Sequence, residues 1–266
     1  MKYLLSFLLL LTLGYGFAFA EIKTEEVNYT VDGTKLTGYM AFDDSVKGKR
    51  PAVIVVHEWW GHNDYARKRA EMLAGLGYVG FALDMYGDGK VTDHPEDAAK
   101  FMNEVFNNME AGVKRFNAAV EIVKKNPHVD PDNIAAIGYC FGGAIVLHMA
   151  RIGTDLKGVT SFHGNLSSMH KPEPGSVKSK VLVLHGGNDK LVPQEQVDAF
   201  KKEMDEGEVE YEIVVYPGAD HSFTNPSADK YGKAHNLPLA YNKEADEKSW
   251  EKFKEFLKKI FQPENS

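Results

Sequence analysis

One cysteine in 266 residues is the scarcest feature of this chain. A single thiol excludes an intramolecular disulfide and a C-x-x-C redox pair, so the fold must be held by its core. Positive charge is short as well. With 31 Lys and Arg against 38 Asp and Glu, the net charge of −7 argues against non-specific nucleic-acid binding and against docking on an anionic membrane. Internal repeats, low-complexity tracts and linkers are missing, which favours one domain over residues 21–266.

What is present begins with "MKYLLSFLLLLTLGYGFAFA": one basic residue (Lys2), an apolar run and Ala18-Phe19-Ala20 in a small-x-small pattern. The competing reading is a retained membrane anchor. Gly14 and Gly16 interrupt the run, however, and no positive cluster follows it. A signal peptide over 1–20 is therefore expected, cleaved after Ala20 to leave an exported, periplasmic protein without membrane attachment.

"EVNYTV" and "KLTGYMAF" alternate apolar and polar residues around Asp32-Gly33, the pattern of an antiparallel hairpin. Six later stretches, "AVIVVHE", "YVGFALDM", "IAAIGY", "VTSFHG", "VLVLHG" and "YEIVVYP", are short and almost continuously apolar, as strands covered on both faces are. Helical stripes separate them: 66–76, one long segment over 97–124, and a final helix through Trp250, Phe253, Leu257 and Ile260. The alternation predicts an α/β fold, a mostly parallel doubly wound sheet with an N-terminal antiparallel hairpin.

The cysteine lies in Gly138-Tyr139-Cys140-Phe141-Gly142, a G-x-nucleophile-x-G pattern between a strand and a helix starting near Gly142. By itself the motif leaves three readings: a small buried hydrophobe, half of an intermolecular disulfide, or a nucleophile favoured by a helix N-terminus. A nucleophile on such an elbow takes its acid and histidine later in the chain, in that order. Asp189 in "GGNDKLVP" and His221 in "GADHSF" follow in that order, each at a strand's carboxyl end. Singly, Asp189 shapes a turn and His221 is a surface histidine as readily as not; together with Cys140 they read as a triad. The backbone N–H groups of Phe141 and Trp59 are the expected oxyanion donors. Trp59, Trp60, Tyr86 and Phe223 share the strand-end loops, as pocket walls or as packing lids. The stretch 224–241 either borders the site or links the histidine loop to the final helix.

His57-Glu58-Trp59-Trp60-Gly61-His62 superficially matches H-E-x-x-H, but its histidines are one residue too far apart and the segment leaves a strand. No metal and no cofactor are expected. His57, His163 and His185 end strands, as supporting or packing groups.

On "HEWWG", "LDMYGDG", "DPDNIAAIGYCFGG", "LHGGNDKLVP" and "YPGADHSFTNP", the chain resembles the dienelactone hydrolase family of the α/β-hydrolase superfamily, across nearly all of 21–266. The resemblance implies an α/β-hydrolase fold and hydrolysis of a lactone or other small-molecule ester. It implies a Cys140, Asp189, His221 triad, a thioester acyl-enzyme, and a Glu58 that contacts the thiol and tunes it; a salt-bridge role for Glu58 is the alternative. Two departures stand out. Where family members acting on anionic dienelactones place arginines, this chain has Asp88 and Asn225. An acid cannot offer a carboxylate the bidentate fork of a guanidinium, so a substrate lacking a free carboxylate is expected. The competing function is a non-catalytic exported small-molecule binding protein on the same fold. Oligomeric state has no signal in the sequence.

Overall fold

Residues 21–168 and 170–262 are described by the computed structural model, so the expected leader lies outside the described residues. The alternating stretch forms the expected hairpin: β1 (Ile22–Val31) pairs antiparallel with β2 (Thr34–Asp43), with Val31 opposite Thr34. Asp32 and Gly33 between them both take positive φ, 46° and 81°, a two-residue turn whose twist matches the flanking strands.

Six further strands complete the sheet: β3 (Arg50–Val56), β4 (Val79–Leu83), β5 (Val129–Tyr139), β6 (Gly158–Phe162), β7 (Lys180–Gly186) and β8 (Tyr211–Tyr216). Their spatial order is β1-β2-β4-β3-β5-β6-β7-β8. β2 joins β4 antiparallel, and every pairing from β4 to β8 is parallel. The continuous apolar runs are explained by two cores. Ala52, Ile54 and Val56 face one side of the sheet while Val53 and Val55 face the other, and Ile134 and Ala136 alternate with Ala135 and Ile137 in the same way.

Helices cover both faces. α1 (Asp64–Ala74) and α7 (Lys243–Phe261) bring Ala70, Leu73, Phe253 and Leu257 to one core. α3 (Met109–Lys125), α4 (Phe141–Arg151) and α5 (Gln194–Glu206) bring Phe116, Ile145 and Phe200 to the other. Each fully buried leucine, isoleucine or phenylalanine among these contributes roughly 1.5–3 kcal/mol of burial. α2 (Pro95–Asn107) precedes α3, and α6 (Ala228–His235) lies within the stretch after the histidine loop.

The single helix expected over 97–124 is two. Asn108 leaves helical geometry (φ −134°, ψ 63°), and its side chain accepts from the Ala111 N–H at 3.3 Å, starting α3 afresh. An asparagine that caps competes with one that continues a helix, and the apolar spacing carried on past that competition.

Candidate active site

The loops following β3, β5, β6, β7 and β8 leave the sheet at its carboxyl edge, so residues far apart in sequence meet there. β5 ends at Tyr139, and Cys140 is the N-cap of α4 with φ 53° and ψ −113°. Left-handed geometry at a non-glycine residue is strained and persists where the surroundings enforce it. Here the glycines of the motif permit it. A Cβ on Gly138 would lie 2.0 Å from the Gly142 carbonyl oxygen, and one on Gly142 would lie 2.3 Å from that of Val56. The Gly142 N–H donates to the His57 oxygen at 3.1 Å, tying the elbow to the end of β3. Gly142→Ala is accordingly expected to cost about 1–3 kcal/mol from overpacking. A thermal melt several degrees lower, with reduced specific activity, is the check.

Asp189, after β7, and His221, after β8, are both buried. The Asp189 Oδ2 lies 2.8 Å from His221 Nδ1, while its Oδ1 accepts the Leu191 and Val192 N–H groups at 2.9 and 3.1 Å. Those two bonds aim the carboxylate. Nδ1 donates to Asp189, which leaves Nε2 as the nitrogen that exchanges a proton with the thiol; it is buried without a hydrogen-bond partner among the described residues. Burial opposes a charged His221, but the Cys140 thiolate and the Asp189 hydrogen bond outweigh it and raise the ring's proton affinity well above the ordinary histidine value. The expected three residues are therefore brought together.

The Phe141 amide opens α4 and the Trp59 amide lies on the loop after β3; among the described residues neither donates to a protein acceptor. Both remain free for a developing oxyanion. Glu58 is buried, and its carboxylate accepts from Ser222 Oγ at 2.9 Å and Asn225 Nδ2 at 2.5 Å. Burial raises its proton affinity against those two donors. Its hydrogen bonds thus run to the histidine loop and not to the Cys140 thiol.

A cavity of about 540 Å³ opens over Cys140 and His221. Its apolar wall is Trp59, Met102, Phe106, Phe141, Ala144, Leu191, Val192, Leu237 and Leu239, with Asn165 and Ser167 as its further polar members and, among the described residues, no lysine or arginine. Of the residues expected around a pocket, Trp59 lines it, whereas Trp60, Tyr86, Phe223, Asp88 and Asn225 lie outside this wall. Trp60 is buried and stacked on Tyr231, with ring centroids 4.4 Å apart. Tyr86 lies under the loop, its hydroxyl donating to the Trp59 oxygen at 3.1 Å and its ring against His57 and Phe141. Phe223 packs between His163 and Tyr216. Asn225 is occupied with Glu58.

Asp88 is exposed at φ 55°, and its N–H bonds back to the Lys35 oxygen at 2.7 Å. The cause is Asp84, whose buried carboxylate accepts from the N–H groups of Tyr86, Gly87, Gly89 and Thr37 and so folds "DMYGDG" over β2, away from the cavity. The wall is supplied instead by α2, through Met102 and Phe106, and by the stretch 224–241, through Leu237 and Leu239. That stretch borders the site. An ordinary apolar stripe on a helix gave no signal that one end of it faces a cavity.

The family model for the dienelactone hydrolase family matches residues 36–261. Among curated proteins, "Protein usf" of Aquifex pyrophilus is 29% identical over 228 residues, 82% of this chain and 97% of that one. Among solved structures, a dienelactone hydrolase-like promiscuous phosphotriesterase from metagenomic libraries is 34% identical. It superposes with a TM-score of 0.84 over 91% of this chain and 100% of its own. An α/β-hydrolase enzyme from a Medee basin deep-sea metagenome library shares the fold at 19% identity, with a TM-score of 0.63 over 91% of this chain and 99% of its own.

Proposed function

The chain belongs to the dienelactone hydrolase family and is a carboxylic ester hydrolase, and from that premise we propose that it cleaves uncharged esters or lactones through a thioester on Cys140. The observation carrying this reading is that Cys140, on its strained elbow, and His221, oriented by Asp189 through Nδ1, line one cavity.

His221 Nε2 takes the thiol proton and Sγ attacks the carbonyl carbon. The carbonyl oxygen takes the negative charge and lies between the Phe141 and Trp59 amides, each such donor being worth roughly 3–4 kcal/mol in comparable sites. The tetrahedral adduct collapses by breaking the ester C–O bond, and the leaving alkoxide takes the proton from His221. Water then attacks the thioester, again losing its proton to Nε2. The carboxylic acid departs and the thiol is restored.

Substrate charge follows from the wall. A carboxylate entering this cavity would leave water without a guanidinium or ammonium partner, since among the described residues no lysine or arginine lines it and the His221 ring is engaged with Asp189 and Cys140. Two lactones of equal size, one carboxylated and one not, are the test. The uncharged one is expected to have a kcat/KM at least ~10-fold higher, a desolvation difference of about 1.4 kcal/mol or more. Equal rates would sink the proposed preference while leaving the triad intact.

The relative described as a phosphotriesterase supports a second activity at the same site, since a neutral phosphate triester is likewise uncharged and presents an oxygen to the two amides. Hydrolysis of such a triester, lost together with esterase activity on thiol alkylation, is the outcome expected of that reading. Export completes the proposal: the leader 1–20 is removed and the mature chain starts at Glu21, as the mass of protein recovered from the host envelope would report.

A further inference from the structure

His163 is buried at the end of β6 and holds φ 42°, a left-handed conformation that a side chain adopts only under constraint. Its Nδ1 lies 3.2 Å from the Cys140 amide nitrogen, which also points at the Phe162 oxygen 3.1 Å away. An amide only donates, so Nδ1 is the bare nitrogen and the ring's proton sits on Nε2. Nε2 is 2.7 Å from Thr224 Oγ1, to which it therefore donates. Thr224 Oγ1 lies 2.6 Å from the Tyr65 hydroxyl, and Arg69, itself buried, donates to that hydroxyl at 3.2 Å and to the Thr224 carbonyl oxygen at 2.8 Å.

These bonds form one path. It starts at the backbone of the nucleophile and ends on the loop that carries His221, three residues before Thr224. On its other side the same loop is held by Glu58 through Ser222 and Asn225. Granted Cys140 as the nucleophile, as proposed above, we infer that His163 is a positioning residue that ties the Cys140 elbow to the His221 loop and so fixes the spacing of thiol and imidazole. The ring must be neutral to do this, because a protonated Nδ1 could not accept from the amide. The titratable and charged groups facing it are His221, Arg69 and His185, and burial, with the His221 charge next, keeps its proton affinity well below the ordinary value. The neutral ring also spares the His221 imidazolium, whose ring centroid is 5.3 Å away, a like charge.

The test uses two variants of the full mature chain. His163→Phe keeps a ring and removes both hydrogen bonds. His163→Asn restores an acceptor near the Cys140 amide and tolerates positive φ. Two measurements are made below both melting temperatures: steady-state hydrolysis of a short-chain aryl ester, and the pH profile of Cys140 alkylation by uncharged iodoacetamide. His163→Phe is expected to lower kcat by about 10–100-fold, as misplacement of a reacting pair does, with KM changed by less than about 3-fold. Its alkylation at pH 6 is expected to slow by about 10-fold, because an imidazolium no longer held beside the thiolate stabilises it less. His163→Asn is expected to recover most of both losses without reaching wild-type values. If His163→Phe does not fold, His163→Asn alone decides, with an expected kcat about 3–10-fold below wild type. Wild-type kcat and alkylation profile in folded His163→Phe, or in His163→Asn when that variant alone folds, would overturn the inference, and so would a lowered melting temperature as the only change. The alkylation profile reads the thiol–imidazole pair whether or not the thiol is the nucleophile. Wild-type enzyme that still turns over the ester once alkylated defeats the nucleophile reading separately.

Discussion

Cys140→Ala is expected to lower kcat/KM for a short-chain aryl ester by 10⁴-fold or more, approaching the roughly 10⁶-fold cost of removing the nucleophile from a comparable triad. The size follows from what remains. The Phe141 and Trp59 amides and the apolar wall still bind an ester, but no atom in the cavity then attacks the carbonyl, and His221 has only water to activate. Alanine keeps the Cβ and removes only Sγ, so the φ 53° strain and the surrounding contacts are unchanged and the melting temperature should hold. Mass spectrometry separates this from a general loss of function. Wild-type enzyme quenched during turnover of a slow ester should carry one acyl group on Cys140, and the variant none. Activity within 10-fold of wild type in the alanine variant would remove the thiol from the mechanism.

Asp189→Asn is expected to lower kcat by about 10⁴-fold while KM moves little, the cost seen when a triad histidine is held in the wrong tautomer. One carboxylate oxygen faces His221 Nδ1 and the other accepts the Leu191 and Val192 amides, so an asparagine has one oxygen for two duties. If its oxygen stays on the amides, its NH₂ faces Nδ1 and drives the imidazole proton to Nε2, where it points at the thiol and blocks general-base action. If its oxygen faces His221, two buried N–H groups lose their acceptor and the turn after β7 is destabilised by about 1–3 kcal/mol each. The first arrangement gives a stable, inactive protein and the second an unstable one. Removing the carboxylate also removes a cause of the raised proton affinity of His221. Cys140 alkylation should therefore fall off at higher pH than in wild type, as the pH is lowered, because the ring holds its proton less firmly beside the thiolate. A variant retaining a tenth of wild-type kcat at unchanged melting temperature would show that Asp189 is only a turn residue.

Much of this molecule is legible along the chain, for local reasons. Asp32-Gly33 supplies the two positive-φ residues a hairpin needs, and continuous apolar runs arise because both faces of β3 to β7 are covered. Gly138-x-Cys140-x-Gly142 is a backbone requirement written as sequence, since any Cβ at either glycine meets a carbonyl oxygen. Asp189 and His221 are legible because strand ends of a parallel sheet share one edge, which lets order along the chain stand for proximity in space. Asn108 marks where such reasoning stops even locally: helix continuation and helix capping differ by little, and the neighbouring residues decide.

Side-chain direction is another matter, because it is set by which partner the fold brings within reach, whether that partner is near in the chain, as for Asp84 and Gly87, or 167 positions away, as for Glu58 and Asn225. The sequence alone determined the sheet, the elbow, and the placing of Cys140, Asp189 and His221 at strand ends that share one edge. Only the tertiary structure decided that Asp84 turns Asp88 away from the cavity, that Asn225 serves Glu58, and that Trp60, Tyr86 and Phe223 pack while Met102, Phe106, Leu237 and Leu239 form the wall. The same holds for His163, whose role depends on which nitrogen meets Cys140 and which meets Thr224, 61 positions further along the chain. Spacing in sequence fixes backbone geometry over a few residues. Which buried polar group finds which partner is fixed only when the fold excludes water and leaves each donor one acceptor within reach.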